Sequence, residues 1–505
     1  MWMPVQIEPG LFRSNTAYDS PSRWWDMNLI RWQSGHMRPL GGWVRLTATP
    51  LTGAIRKIHP WRDNSNTKFA LIGTDTNLYT DSGGLYVDVT PATFSAPGGT
   101  GGLADGYGTG LYGAEDYGDP RETASVIYQP FTFWSFGNWG EDVILTASTD
   151  GRLFYYDASA PTTAPTLIAT APTGCNSVMV TGERHVLAIG VNSGGGTPRR
   201  IAWSSREDYT DWNFASTTNT AGFLDLPATT PVTRGVKVRD GILVFSNSEV
   251  FLVEWAGTGL GYGQRRISET ALMHPESVAT FDGKAVWLSR GGFQIYDGGF
   301  IRDVACPILE DILAEIDPVI GTYQVHASAS GIYPEVMFWW AEAGESAANR
   351  YAIWNYAENT WAWGDLSRTA MCPAGVGEYP LAGDSLGNLY EHENGWTDAG
   401  APRASAGLIW LESGALELAP GNRMLDIKQA MFSTGHGYGA VTATFYTKIT
   451  PEGAERTFGP YSPRADGYTD TRVTGRAARL RLAATADEDW SVGNMRLDVV
   501  PGTGR

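Results

Sequence analysis

One unit recurs along this 505-residue chain and restricts its fold more than any other feature. It is an apolar strand, a tight polar turn, then a second strand ending in aromatics and often an acid. The unit reads KFALIGTDTNLYT over residues 68–80, DVILTASTDGRLFYYD over 142–157 and HVLAIGVNSGGGTPRRIAW over 185–203. It returns as GILVFSNSEVFLVEW (241–255), KAVWLSRGGFQIYD (284–297), EVMFWWAEAGESAANRYAIWNY (335–356) and YPLAGDSLGNLYEHE (379–393). Aromatic and β-branched runs broken by Gly, Asn and Asp predict hairpins, and helical periodicity is scarce between them.

The seven turns fall near positions 75, 150, 195, 247, 291, 345 and 386. The first interval, 75 residues, contains a glycine-rich stretch at 91–120; without it 45 remain, close to the other spacings of 41 to 54. A period of about 40–50 residues built from strand hairpins is the mark of propeller blades, each of four strands. Radial closure also removes the exposed edges that a linear array of hairpins would leave. The expected fold is all-β, a β-propeller of about seven blades over residues 45–402, with residues 1–44 closing or bracing it.

Two segments depart from the hairpin pattern. PILEDILAEI, Pro307–Ile316, predicts a short helix with proline in its first turn. Ile308, Leu309, Ile312, Leu313 and Ile316 form its apolar face, while Glu310, Asp311 and Glu315 point away. Beyond residue 402, alternating strands over 407–418, 424–433, 440–450, 456–461, 471–483 and 494–500 predict a C-terminal β-sandwich-like domain, 403–505.

Charge divides along the same boundary. Acids outnumber bases 54 to 37, a net charge of −17, yet residues 403–505 carry 12 basic and 11 acidic side chains. The acidity therefore belongs to the propeller. An acidic chain repels phosphate, which argues against a nucleic-acid grip driven by counterion release, though not against a surface past which DNA slides. Cys175, Cys306 and Cys372 make no disulfide framework, and the opening MWMPVQIE lacks a basic and apolar leader. Folding in a reducing cytosol is the expectation. No apolar run reaches the ~18–20 residues of a membrane span, so no membrane insertion is expected.

Literal catalytic motifs fail on context. Gly383-Asp-Ser385-Leu-Gly387 spells a nucleophile elbow, but it lies in a hairpin rather than between a strand and a helix. Gly108 to Gly113 spells G-x-G-x-x-G without a strand–helix unit around it. Ser148-Thr-Asp150-Gly151 begins like the Asp-box of propeller sialidases, but its glycine comes one place early and the tryptophan is missing. His36, His59, His185, His274, His326, His392 and His436 show no zinc spacing. No catalytic residue, metal site or cofactor is assigned, and the chain is expected not to be an enzyme.

The stretch PGGTGGLADGYGTGLYGAEDYG (97–118) places Tyr107, Tyr112 and Tyr117 five residues apart among glycines. Glycine frees the backbone while tyrosine supplies adhesive area, so these three are candidates for an assembly or gate loop. Paired tryptophans, Trp24-Trp25 and Trp339-Trp340, with Trp361 and Trp363, fit the packing of wedges between blades better than a sugar platform. In the basic strand Arg476, Arg479 and Arg481, alternation puts Arg479 and Arg481 on one face. They form a candidate docking face for an acidic neighbour.

Two stretches resemble a known family. PGLFRSNTAYDSPSRWWDMNLIRWQSGHMRPLGGW, Pro9–Trp43, is similar to the N-terminal signature of the nozzle (tail tubular protein B-like) proteins of short-tailed bacteriophages. The matching positions are Pro9, Gly10, Leu11 and Arg13, then Tyr18, Ser20, Arg23, Trp24, Asp26, Ile30, Arg31 and Trp32, and last Pro39, Gly41, Gly42 and Trp43. TGRAARLRLAATADEDWSVGNMRLDV, Thr474–Val499, resembles the family's closing strands, and the Gly/Tyr insertion resembles its G-Y-G-x-G-x-Y-G segments. The resemblance implies a structural virion protein of the tail, assembled in host cytoplasm as a homo-oligomer, a hexameric ring. Such a ring extends the DNA channel below an adaptor protein and portal, gates genome release and docks tail fibre or spike proteins. Transiting double-stranded DNA would pass without specific binding. The competing expectation is a carbohydrate-binding or glycoside-hydrolysing β-propeller.

Overall fold

Each of the seven sequence hairpins forms the two middle strands of a four-stranded antiparallel sheet. The hairpin at 142–157, for instance, supplies Asp142–Ala147 and Phe154–Tyr156, flanked by Trp134–Trp139 and Thr166–Leu167. The second strand of each sheet is buried on both faces, as in Glu335–Trp340 and Val186–Ile189, and so reads as a continuous apolar run. In this computed structural model the described residues are 1–14, 16–94, 132–193, 197–257, 259, 261–316, 324–416, 418, 424–437, 439–450 and 453–501.

The sheets are the blades of a seven-bladed propeller. Blades 1 to 6 span residues 55–88, 134–167, 177–225, 232–268, 278–304 and 326–365. Blade 7 takes three strands from 370–392, and its fourth is Trp43–Arg45, paired antiparallel with Tyr390 opposite Arg45 and His392 opposite Trp43. The first strands of successive blades touch one another around an unbroken circle, so they line the axis. Apolar clusters fill the wedges between blades: Trp61, Leu71, Trp134 and Tyr156 between blades 1 and 2, and Leu187, Trp203, Phe251 and Tyr262 between blades 3 and 4. Trp134 lies so close to Gly73 that a Cβ there would fall 2.2 Å from the indole, and its Nε1 donates to the Thr74 carbonyl at 2.7 Å. Trp134, Trp287, Trp339, Trp340, Trp361 and Trp363 are fully buried in the propeller, whereas Trp24 and Trp25 sit on the sandwich strand Arg23–Asn28 rather than between blades, Trp24 buried and Trp25 half-buried.

Two six-stranded sheets form the sandwich, and both ends of the chain build it. One contains Leu425–His436, Tyr468–Gly475 and Ser491–Pro501 together with Trp2–Val5, Ile30–Gln33 and His36–Pro39. The other contains Trp410–Ser413, Val441–Lys448, Arg456–Tyr461 and Ala477–Ala484 together with Glu8–Leu11 and Arg23–Asn28. Strict alternation of buried and open residues along Val441–Lys448, Tyr468–Gly475 and Ala477–Ala484 gives each sheet one inward face. Leu480 and Phe445 from one sheet share a core with Ile427 and Leu497 from the other. Residues 1–44 thus do two jobs. Trp43 closes blade 7, while five earlier strands complete the sandwich.

The expected helix is present as Leu309–Glu315, with Ile308, Ile312 and Ile316 buried. One detail is corrected. Glu315 does not point away, because Arg350 pairs with it at 3.1 Å and the Trp340 indole donates to it at 3.2 Å. Burial raises the Glu315 pKa against the pull of Arg350. The G-x-S-x-G stretch is the turn between Leu381–Gly383 and Leu389–His392, held by Asp384 accepting from the Leu386 and Asn388 amides.

Candidate functional site

Several residues of the segment Pro9–Trp43, among them Arg13, Asp26, Arg31, Gly41 and Gly42, gather at the junction between sandwich and propeller. Arg31, 2% exposed, sits on the strand Ile30–Gln33 and reaches across to the propeller side. Its guanidinium pairs with Glu393 at 2.5 Å and Glu335 at 3.4 Å, and lies 4.0 Å from the centroid of the Tyr333 ring. Burial pushes the Glu335 carboxyl up to about 7 and Glu393 adds to this, while Arg31 opposes both. Asp26 accepts from the Trp363 indole of blade 6 at 2.8 Å, and Arg13 lies against both Trp25 and Trp363. Gly41 and Gly42 let the backbone pass where a Cβ would fall 2.7 Å from Glu393 Cα and 2.5 Å from the Thr397 carbonyl oxygen. Arg403, fully buried, then ties the crossing by donating to the carbonyls of Leu40, Gly41 and Trp396. These residues do mechanical work, holding two bodies as one.

A second polar cluster lies on the propeller axis. Lys57 of blade 1 and Arg234 of blade 4 both pair with Glu276, which precedes blade 5; the Arg234 contact is 3.0 Å. Burial alone would raise the Glu276 carboxyl, but the two cations bring it down to about 2. Beside the trio, Arg56, His274, Gln324, His326 and Thr369 line a cavity of about 20 Å³. Burial depresses His274 to about 4 and His326 to about 3, so both imidazoles are neutral at pH 7. Titratable groups on an axis are where a propeller enzyme would work, yet a space of this size admits one water and no organic substrate. No local motif announces this cluster, because five blades and their entry segments contribute to it.

Arg479 and Arg481, expected to form a docking face, lie on one face of their strand and are matched in charge within the chain. Arg479 pairs with Glu412 at 3.2 Å and Glu455 at 3.0 Å, and Arg481 pairs with Glu412 at 2.8 Å while lying over Trp410. Tyr18 donates to Glu455 at 2.7 Å, so the signature tyrosine belongs to this cluster too. Arg476 stands just before the strand, its amide donating to the Lys448 carbonyl at 2.9 Å. Tyr107, Tyr112 and Tyr117 lie outside the described residues.

A cleft of about 390 Å³ between blades 3 and 4 is lined by Trp255 and Tyr262 with Glu183, Asp240 and Glu254 among others. Cys175 and Cys372 are buried, which pushes both thiols up to about 12 and away from nucleophilic use. Among the described residues, no group of three or more His, Cys, Asp or Glu side chains gathers as a metal site. No helix among them is long and apolar enough to cross a membrane.

No family model matches the chain, and no curated protein matches it. Solved structures similar to it are β-propellers of low identity. YCF48 bound to D1 peptide is 11% identical with a TM-score of 0.39, covering 75% of this chain and 99% of that one. Virginiamycin B lyase from Staphylococcus aureus, in a catalytically inactive form with quinupristin, is 10% identical with a TM-score of 0.38, covering 68% and 97%. The extracellular domain of a hybrid two component system from B. thetaiotaomicron is 10% identical with a TM-score of 0.32, covering 76% of this chain but only 40% of that one.

Proposed function

We propose that this chain is a non-enzymatic structural subunit of a virion, the nozzle of a short phage tail. What carries the reading is where the family-like signature falls: Arg13, Asp26, Arg31, Gly41, Gly42 and Trp43 all lie at the seam that fixes the sandwich to blades 6 and 7. A part that holds pressure and position needs such a seam more than it needs a cleft. In this reading the DNA passage lies between copies arranged in a ring, hexameric by family resemblance. The acidity of the propeller region keeps the passing duplex from adhering. An adaptor protein sits on one side of the ring and tail fibres or spikes on its surface, and assembly takes place in the host cytoplasm.

Mass photometry and negative-stain imaging of the purified chain, alone and with the adaptor protein of the same phage, test the reading. Rings are expected in at least the second case. A stable monomer in both would overturn it. Deleting residues 98–118 is expected to leave the fold intact and to lower particle yield or DNA retention.

One observation favours a second reading, the carbohydrate-binding or glycoside-hydrolysing propeller: the cleft that combines Trp255 and Tyr262 with three carboxylates. Glycan-array binding lost in Trp255→Ala would support it, and a blank array with no hydrolysis would remove it.

A further inference from the structure

The strand that closes blade 7 is held by a stack of aromatic and cationic side chains. Trp43 stands opposite His392 in the pairing, and the two rings stack with centroids 5.4 Å apart and planes 21° from parallel. The guanidiniums of Arg403 and Arg368 lie over the same indole at 5.0 and 5.1 Å, and Arg368 also lies 4.1 Å from the centroid of the Tyr390 ring. Arg368 and His392, 5% and 4% exposed, are joined directly, Arg368 Nε donating to His392 Nε2 at 2.7 Å. Backbone bonds complete the closure: the Trp43 amide donates to the Thr397 carbonyl at 3.0 Å, and the Leu46 amide to the Leu389 carbonyl at 2.8 Å.

The contact between Arg368 and His392 works in one protonation state only. A guanidinium donates and never accepts, so His392 Nε2 is the acceptor and the proton of the neutral ring sits on Nδ1. A second proton would set N–H against N–H at 2.7 Å and add a third cation to the stack on Trp43. Burial, and then Arg368, Arg403 and Arg31, hold the imidazole well below its ordinary 6.5. The carboxylates nearby are engaged elsewhere. Glu393 accepts from Arg31 and the Gly41 amide, Asp398 from the Trp43 indole, and Asp487 from the Arg403 and Ala404 amides. Asp384 accepts from the Asn388 amide and the Tyr390 hydroxyl, and Glu391 from the Asn394 side chain. Arg45, at the far end of the closing strand, is exposed and adds another positive charge.

We propose that His392 is an acid-sensitive catch on the closure of blade 7. Neutral, it holds Arg368 and the Trp43 ring in place. Protonated, it repels Arg368 and lets Trp43–Arg45 leave the edge of Leu389–His392 while the other blades stay closed. A group held below its free value takes up a proton on release, so the catch is fastened above pH 6.5 and its opening equilibrium gains about tenfold for each pH unit below that. The inference concerns the single chain and is independent of the assembly proposed above.

Hydrogen–deuterium exchange of the full chain tests it, corrected for the intrinsic pH dependence of exchange and read by mass spectrometry on the peptide containing Trp43 and Leu46. The comparison is with His392→Gln, whose side-chain carbonyl still accepts from Arg368 but does not titrate. His392→Asn takes its place should that variant not fold. Below pH 6.5 the unsubstituted chain is expected to lose protection in this peptide by about tenfold per pH unit relative to the variant, with no such difference in Asp142–Ala147 of blade 2. Equal pH slopes in the two chains overturn the proposal. A difference of the same size in blade 2 also overturns it, because the effect would then be global rather than the release of one strand.

Discussion

Replacing Arg31 by Met would test whether the seam between sandwich and propeller is held electrostatically. Methionine keeps an apolar stem of similar length but leaves Glu335 and Glu393 facing each other with the shared cation gone. Removing one member of a buried pair costs ~3–5 kcal/mol, because the remaining charge stays buried without compensation. For a cooperative unit of ~150–250 residues each kcal/mol moves Tm by ~2–4 °C, so the transition that includes the sandwich should fall by roughly 6–20 °C. The loss should also depend on pH. Glu335 stands at about 7 against 4.5 for a free glutamate, and losing Arg31 raises it further. A carboxyl whose folded pKa exceeds its unfolded value binds more protons when folded, so stability falls as pH rises through that window. Arg31→Met should therefore cost more at pH 8 than at pH 6, and adding Glu335→Gln should recover part of the difference. Differential scanning calorimetry at both pH values provides the measurement. A loss under ~1 kcal/mol at pH 8, or one equal at the two pH values, would show that packing rather than charge holds the seam.

Three further outcomes follow from particular contacts. His274, at about 4 when folded against 6.5 free, binds fewer protons in the folded state. Stability should thus be full above pH 6.5 and fall toward pH 4 by up to ~3 kcal/mol, and denaturant midpoints of His274→Asn that keep the same pH slope would refute the assignment. Gly42→Ala sets a Cβ 2.5 Å from the Thr397 carbonyl oxygen and should cost ~1–3 kcal/mol by chemical denaturation, whereas Gly182→Ala, with nothing within 4 Å, should be near neutral. Equal stability of the two variants would count against the close crossing. A double-mutant cycle on Arg479 and Glu412 should give a coupling of about 0.5–1 kcal/mol, and no measurable coupling would leave both side chains available to a partner.

How much of this was legible in the sequence depends on how local each interaction is. The middle strands of every blade are neighbours in sequence and buried on both faces, so seven hairpins could be read directly. The inner and outer strands are more polar and uneven in length; Thr166–Leu167 has two residues, both exposed. The sandwich could be seen only in its C-terminal half, since the pairing of Trp2 with Asp498 or Met27 with Leu411 leaves no trace in local pattern. Glu315 shows the same limit, because its partner Arg350 lies 35 residues away on the next blade. The alternation that placed Arg479 and Arg481 on one face is correct, but Glu412, which balances them, arrives from another strand.

Blade 7 and the sandwich both depend on strands synthesised long before their partners. Trp43–Arg45 must wait for Leu389–His392, and Trp2–Val5 for residues 495–498. At ~5–20 residues per second that second wait is roughly 25–100 s, far longer than a hairpin takes to form. Blades 1 to 6 can each close as they emerge, while the leading strands remain exposed edges able to pair with a neighbouring nascent chain. Once Leu389–His392 has closed blade 7, a complete propeller stands beside a half-built sandwich whose N-terminal strands still lack their C-terminal partners. The strands from Trp410 onward are what complete the two sheets of the sandwich, which makes termination before them a route to aggregation rather than to a smaller working protein.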